Sequence, residues 1–286
     1  MLTEGGSVIC SFNELPEENE NYIDKIVENT ANTWQQGRDD NEKRQNTLQG
    51  KLAERAVMYY LSQAAKDLIY IPYDSFRADN YEKHAPFDGL IFKKSAVSAA
   101  DLNTFTDKIN AEVQLHAGGK ITESLRRELL ENRIYSVEIK STKVTGRHRP
   151  YKFNGYRCDA ARVIAGILKD DFLTYPHYLR EGDMEWEEYC NYVKSVDHCF
   201  SGLIGKDLSD AVKAKELANM DDFYIRVYVD MENRAVLIIG YITREVFIET
   251  PALKKMVQKY KSEDALYLYK TLKSRNFIKN FVDDII

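Results

Sequence analysis

The sequence predicts an α/β or α+β chain, in which a mixed central β-sheet of five or six strands is flanked by helices. Three observations lead there. Short apolar or alternating segments of strand length recur at residues 68–71, 87–92, 134–141, 223–229 and 235–242. Longer segments with apolar residues at helical spacing lie around them. No repeat, low-complexity stretch or obvious linker interrupts the 286 residues, a length that suits one large domain.

Residues 19–36 place Tyr22, Ile23, Ile26, Val27 and Trp34 on one helical face. A polar break at residues 36–40 precedes a longer helix over 43–66. Its buried stripe is Leu52, Ala53, Ala56, Val57, Tyr60, Leu61 and Ala64. Leu68–Ile71 is a short apolar strand stopped by Pro72, which cannot donate to a ladder. Pro86 leads into a second strand, Phe87–Phe92. Residues 98–132 read as a charged helical pair inserted between strands, with Leu125, Leu129 and Leu130 packing. Strand 134–141 follows, then a basic loop containing Gly and Pro over 143–154, then helix 156–169. Residues 171–200 are rich in aromatics, with a helix over 184–194. Phe223–Val229 and Ala235–Ile242 alternate and read as a hairpin or neighbouring strands. Two C-terminal helices, about 251–260 and 262–281, close the chain, the second with Ser262 as N-cap and Glu263 and Asp264 in its first turn.

Composition narrows the function classes. Hydrophobic residues at 44% and charged residues at 30% suit a soluble globular protein. No apolar run approaches the roughly 18 residues of a membrane span. Met1–Ser7 has no basic stretch leading into an apolar run, so the expected location is cytoplasmic. Cys10, Cys158, Cys190 and Cys199 form no Cys-x-x-Cys pair and are read as reduced thiols. His198-Cys199 lacks the second half of a zinc site. The glycines of Ser201-Gly202-Leu203-Ile204-Gly205-Lys206 are too close for a P-loop, which argues against nucleotide hydrolysis. The net charge of −5 hides an asymmetry: acidic residues cluster near the termini and basic ones between Lys140 and Lys152. Nucleic-acid binding depends on such local charge more than on the sum.

The chemistry concentrates in Tyr135-Ser136-Val137-Glu138-Ile139-Lys140. With period two, Tyr135, Val137 and Ile139 face the core, and Ser136, Glu138 and Lys140 share the other face. Asp88, in Pro86-Phe87-Asp88-Gly89, opens an earlier strand. Two carboxylates and an ammonium from adjoining strands can bind a hard divalent cation and steer water onto a phosphodiester. An isolated Glu-x-Lys is common on exposed strands as an ion pair. Here it follows an acid at a strand entrance and precedes a basic loop.

Those residues resemble the PD-(D/E)xK nuclease superfamily, whose best-known members are type II restriction endonucleases. The resemblance covers roughly residues 45–170 and implies a restriction-endonuclease-like core. Asp88 matches the first acid, Glu138 the second and Lys140 the lysine. Phe87 separates Pro86 from Asp88, whereas the family's Pro-Asp pair is adjacent. Many members carry a further glutamate on a helix before the first core strand, and Glu54 fits that position. The resemblance implies Mg²⁺, with Mn²⁺ as substitute, held by Asp88, Glu138 and the carbonyl of Ile139. Lys140 would orient the attacking water or stabilise the developing charge. Lys143, Arg147, His148, Arg149 and Lys152 would contact DNA phosphates. The Tyr175, His177 and Tyr178 patch is either a stacking surface or ordinary packing.

The leading expectation is a Mg²⁺-dependent endonuclease acting on double-stranded DNA, a sequence-specific type II restriction enzyme. A homodimer is expected from the symmetry of palindromic cutting. Residues 171–286 would supply recognition or dimerisation surfaces, and a cognate DNA methyltransferase would be encoded nearby. The alternatives are a nuclease of the same superfamily in DNA repair, phage defence or mobile-element processing, and a non-catalytic DNA-binding module of the same fold.

Overall fold

The computed structural model describes residues 1–17, 20–29, 37–116, 118–152, 154–179, 184–256 and 264–285. In chain order the elements are β1 (Leu2–Glu4), β2 (Ser7–Ser11), α1 (Glu20–Asn29), α2 (Asp40–Ala64), β3 (Leu68–Pro72), β4 (Gly89–Lys93), α3 (Ala99–Leu115), α4 (Glu123–Glu131) and β5 (Tyr135–Lys143). There follow α5 (Tyr156–Ile167), β6 (Asp171–Leu179), α6 (Trp186–Val196), α7 (Gly205–Asn219), β7 (Phe223–Asp230), β8 (Ala235–Thr243), α8 (Arg244–Glu249), β9 (Leu253–Met256), β10 (Asp264–Thr271) and α9 (Phe281–Ile285).

Seven strands form one mixed sheet in the order β1-β2-β8-β7-β5-β4-β3. β5 and β7 run parallel, and every other pair in this sheet is antiparallel. The parallel pair needs a long crossover, and the chain between β5 and β7 supplies it with α5, β6, α6 and α7. β6, β10 and β9 make a second, three-stranded sheet.

Helices cover both faces of the large sheet, as a sheet with two apolar faces requires. Most of the stripe read from the sequence on α2 is observed: Leu52, Ala53, Ala56, Val57, Tyr60 and Leu61 pack on Val137, Ile139, Ile225, Val227 and Val236, whereas Ala64, at the last helical position, is exposed. Asp39 caps α2 by accepting from the Glu42 amide at 2.8 Å. On the other face Val163, Ile164 and Ile167 of α5 meet Tyr224, Tyr228, Leu237 and Ile239. The predicted helical pair is α3 and α4, whose Phe105, Ile109, Leu125 and Leu129 cover Leu90 and Phe92 of β4.

The C-terminal expectation changes. The C-terminal helices over 251–260 and 262–281 are replaced by β9 and β10, with only a short α9 at the end. Ala265-Leu266-Tyr267-Leu268-Tyr269 alternates and carries β-prone tyrosines, and pairing with β6 and β9 outweighs its helical propensity. Ser262 and Trp34 lie outside the described residues. The N-terminus adds a hairpin: Gly5 and Gly6, at φ of 55° and 77°, make the tight turn joining β1 to β2. No described helix is long and apolar enough to cross a membrane.

Candidate active site

Strand pairing brings Asp88 and Glu138 together. In the β4–β5 ladder Gly89 lies opposite Val137, and the Asp88 amide donates to the Val137 carbonyl at 3.0 Å. The Asp88 side chain then turns across β5, where Oδ2 accepts from the Ile139 amide at 2.5 Å. A β-carbon at Gly89 would stand 2.4 Å from the Tyr70 ring and 2.7 Å from the Ile71 carbonyl, so glycine is what lets β3 close here. Tyr70 Oη in turn donates to the Asp88 carbonyl at 3.3 Å.

The period-two pattern of β5 holds. Val137 and Ile139 are buried against α2, and Glu138 and Lys140 project on the other face. Their side chains are ion-paired and about one quarter exposed, at 23% and 26%, so the site is open to solvent. Glu54 lies on α2 near this sheet end. Lys51 Nζ donates to its Oε1 and Oε2 at 2.7 and 2.8 Å, and the same ammonium reaches Asp74. Glu54 lines a cavity of about 340 Å³ with Tyr22, Lys51 and Asp74.

Carboxylates crowd one another at this place. Burial, then the charges of Glu138 and Glu54, push the Asp88 carboxyl well above the usual range, against the Ile139 amide and Lys140. Burial works against the Lys140 ammonium, but Glu138 and Asp88 hold its pKa above the ordinary value, so it stays charged. For Asp74, burial is outweighed by Lys51 and Arg77, which keep its carboxyl below the ordinary value.

Arg126 and Asp221 complete the surroundings. The Arg126 Nη1 donates to Asp221 Oδ1 at 2.9 Å, and Nη2 donates to the Pro86 carbonyl at 3.1 Å. One guanidinium on α4 therefore ties the turn that carries Asp88 to Asp221, two residues before β7. Burial, and then Glu138, raise the Asp221 carboxyl to about 6 although Arg126 opposes this. Next to it, Asp222 accepts from the Ser136 amide at 2.8 Å and pairs with Arg244 at 3.1 Å. Sequence reasoning missed Arg126 and Asp221. The Asp221-Asp222 pair directly before an alternating strand was the available signal.

The donor set suits a hard cation. Asp88, Glu138 and the backbone oxygen of Ile139 offer oxygen only, and the crowding that raises the Asp88 carboxyl is what a bound cation would relieve. Among the described residues, no group of three or more His, Cys, Asp and Glu stands at metal-holding spacing. Two carboxylates fit an ion such as Mg²⁺, which keeps several waters.

The basic loop divides. His148 is buried: its Nδ1 accepts from the Thr145 amide at 3.0 Å, which leaves Nε2–H to donate to Asp170 at 3.1 Å. Burial, against the pull of Asp170, keeps its pKa low and the ring neutral at neutral pH. Arg149 pairs with the buried Asp230 at 2.7 Å and with Glu232 at 2.6 Å. His148 and Arg149 are thus structural residues of the loop, not surface contacts. Lys143, which reaches Gln45 Oε1 at 3.3 Å, Arg147, with a side chain 68% exposed, and Lys152 face solvent or the rim. Tyr175, His177 and Tyr178 lie in β6, with side chains outside the described residues.

Comparison with family models, with curated proteins and with solved structures finds no match for this chain.

Proposed function

We propose that the protein is a divalent-metal-dependent endonuclease that hydrolyses phosphodiester bonds in double-stranded DNA. The observation that carries this reading is the convergence of Asp88, from the entrance of β4, with Glu138 and Lys140 on β5. The order along the chain supports a PD-(D/E)xK core. A helix with Glu54 comes first, then the β3–β4 hairpin with Asp88, then Glu138-x-Lys140 on the next strand. The proposal includes type II restriction as the biological role and a symmetric dimer as the acting form.

Each side chain has a task. Asp88 and Glu138, with the Ile139 carbonyl, would hold Mg²⁺. When bound, that ion polarises the scissile phosphate and lowers the pKa of a water. Lys140, kept charged by Glu138 and Asp88, donates one hydrogen to Glu138 and has the other two for the attacking water or the phosphate oxygens as negative charge builds. Glu54 adds negative charge beside Asp88. Arg126 fixes the Pro86–Asp88 turn so that the acid meets β5.

The test is incubation with long unmethylated duplex DNA, with Mg²⁺ and with EDTA, beside single-stranded DNA and RNA. Discrete duplex fragments with Mg²⁺ alone support sequence-specific restriction. Digestion without discrete fragments, or only of single strands, supports a repair or defence nuclease of the same site chemistry. No cleavage of any substrate in Mg²⁺ or Mn²⁺ removes the enzymatic reading.

A further inference from the structure

We propose that Arg226, with Thr142, forms a second phosphate-binding position beside Lys140, which takes the phosphodiester next to the one cleaved. The inference rests on the nuclease reading and extends it to the path of the nucleic-acid strand. β5 and β7 are parallel, with Lys140 paired to Arg226 and Thr142 to Tyr228. Paired residues in a pleated sheet project on the same side. Glu138, Lys140, Thr142 and Arg226 therefore share one face. Lys140 leans on Glu138. Arg226 leans the other way, with Nη2 donating to Thr142 Oγ1 at 2.7 Å and to Tyr228 Oη at 3.4 Å. Its guanidinium lies 5.8 Å from the Phe172 ring centre and 5.0 Å from that of Tyr228.

The charge of Arg226 is what needs an explanation. Among the described residues it makes no ion pair, and its Nε is buried without a hydrogen-bond partner. Other partly buried arginines of the fold differ. Arg77 meets Asp74 and Asp79, Arg126 meets Asp221, Arg149 meets Asp230 and Arg244 meets Asp222. Arg275 meets the backbone carbonyls of Ile239, Leu272 and Gly5. Arg226 reaches a carboxylate only at one remove: Tyr228 Oη donates to Asp170 at 2.5 Å. That carboxylate already serves Arg147 and His148, each at 3.1 Å.

A partly buried cation without a counter-ion is costly, and a second cation paired with it across the strands adds repulsion. An oxyanion between Lys140 and Arg226 relieves both. The planar guanidinium matches a phosphate oxygen pair, and an arginine serves such an anion better than a lysine. The Thr142 hydroxyl accepts from Arg226, which leaves its own hydrogen to donate to a phosphate oxygen. From Lys140 the position lies towards Lys143 and the basic loop, so Lys140, Arg226 and Arg147 mark a track for one strand's backbone.

The experiment measures binding of a fluorescein-labelled DNA duplex in EDTA, over a range of salt, for wild type, Arg226→Met, Arg226→Lys and Thr142→Val. Melting curves confirm that each is folded. Arg226→Met is expected to weaken binding about tenfold and to lower the salt slope by about 0.9, the signature of one lost phosphate contact. Arg226→Lys is expected to keep the slope and lose part of the affinity, which a purely structural role would not produce. Thr142→Val is expected to weaken binding with the slope unchanged. If wild type binds DNA and folded Arg226→Met retains its affinity and slope, this position is overturned and the nuclease reading stands. Should Arg226→Met fail to fold, unchanged binding in both Arg226→Lys and Thr142→Val overturns it instead. A wild-type protein that binds neither DNA nor RNA overturns both.

Discussion

Replacing Asp221 by Asn tests the electrostatics of the site without touching the three residues assigned to the chemistry. The Asp221 carboxyl is raised from 3.8 to about 6, by burial first and then by the Glu138 charge. A shift of about two units corresponds to about 3 kcal/mol of differential stability. The sign follows from linkage. The folded value lies above the unfolded one, so the folded state holds the proton more tightly between the two. The contribution is complete below the unfolded value and is lost as pH rises through about 6. Asn does not titrate, and the raised Asp88 acts alike in both proteins. Wild-type stability relative to Asp221→Asn should therefore fall by about 3 kcal/mol between about pH 4 and pH 7. The assay is urea unfolding in EDTA across that window, with both proteins at each pH. A difference that stays constant with pH would refute the reasoning, because Asp221 would then titrate as an ordinary exposed acid.

Two further outcomes follow from the same geometry. Arg126→Ala leaves Asp221 buried and frees the Pro86 carbonyl. It should cost about 3–5 kcal/mol where Asp221 is charged and less as pH falls and Asp221, raised further once Arg126 is gone, takes up a proton, as read by urea unfolding. Arg149→Ala should destabilise by roughly 2–3 kcal/mol, because it strips the guanidinium from buried Asp230, while Lys152→Ala should stay within about 0.5 kcal/mol of wild type and weaken DNA binding. Melting curves beside a duplex-binding titration separate these two residues of one loop.

What the sequence made legible depends on how local its cause is. The stripe of α2 and the alternation of β5 are set by periodicity, and both appear in the fold, Ala64 of the stripe excepted, with Glu138 and Lys140 on the face opposite Val137 and Ile139. Asp88 was legible as an acid at a strand entrance, and the ladder that puts Gly89 opposite Val137 supplies the rest. Long-range partners were not legible. Nothing local in α4 says that Arg126 reaches Pro86 and Asp221, which lie far along the chain in both directions. His148 and Arg149 looked like surface cations because their neighbours in sequence are basic. Their acid partners, Asp170, Asp230 and Glu232, come from later elements. β10 was misread for the same reason, since its pairing with β6 and β9 is a tertiary event.

The most direct measurement is the single-turnover rate of duplex cleavage after Mg²⁺ is added to pre-bound protein, for wild type, Asp88→Asn, Glu138→Gln, Lys140→Met and the triple variant. If these residues act as one hydrolytic unit, each single change lowers the rate by about 10²–10⁴ and the triple variant is little worse than the singles. Wild-type cleavage that survives all three single changes within about tenfold would contradict the account and move the chemistry to another part of the molecule.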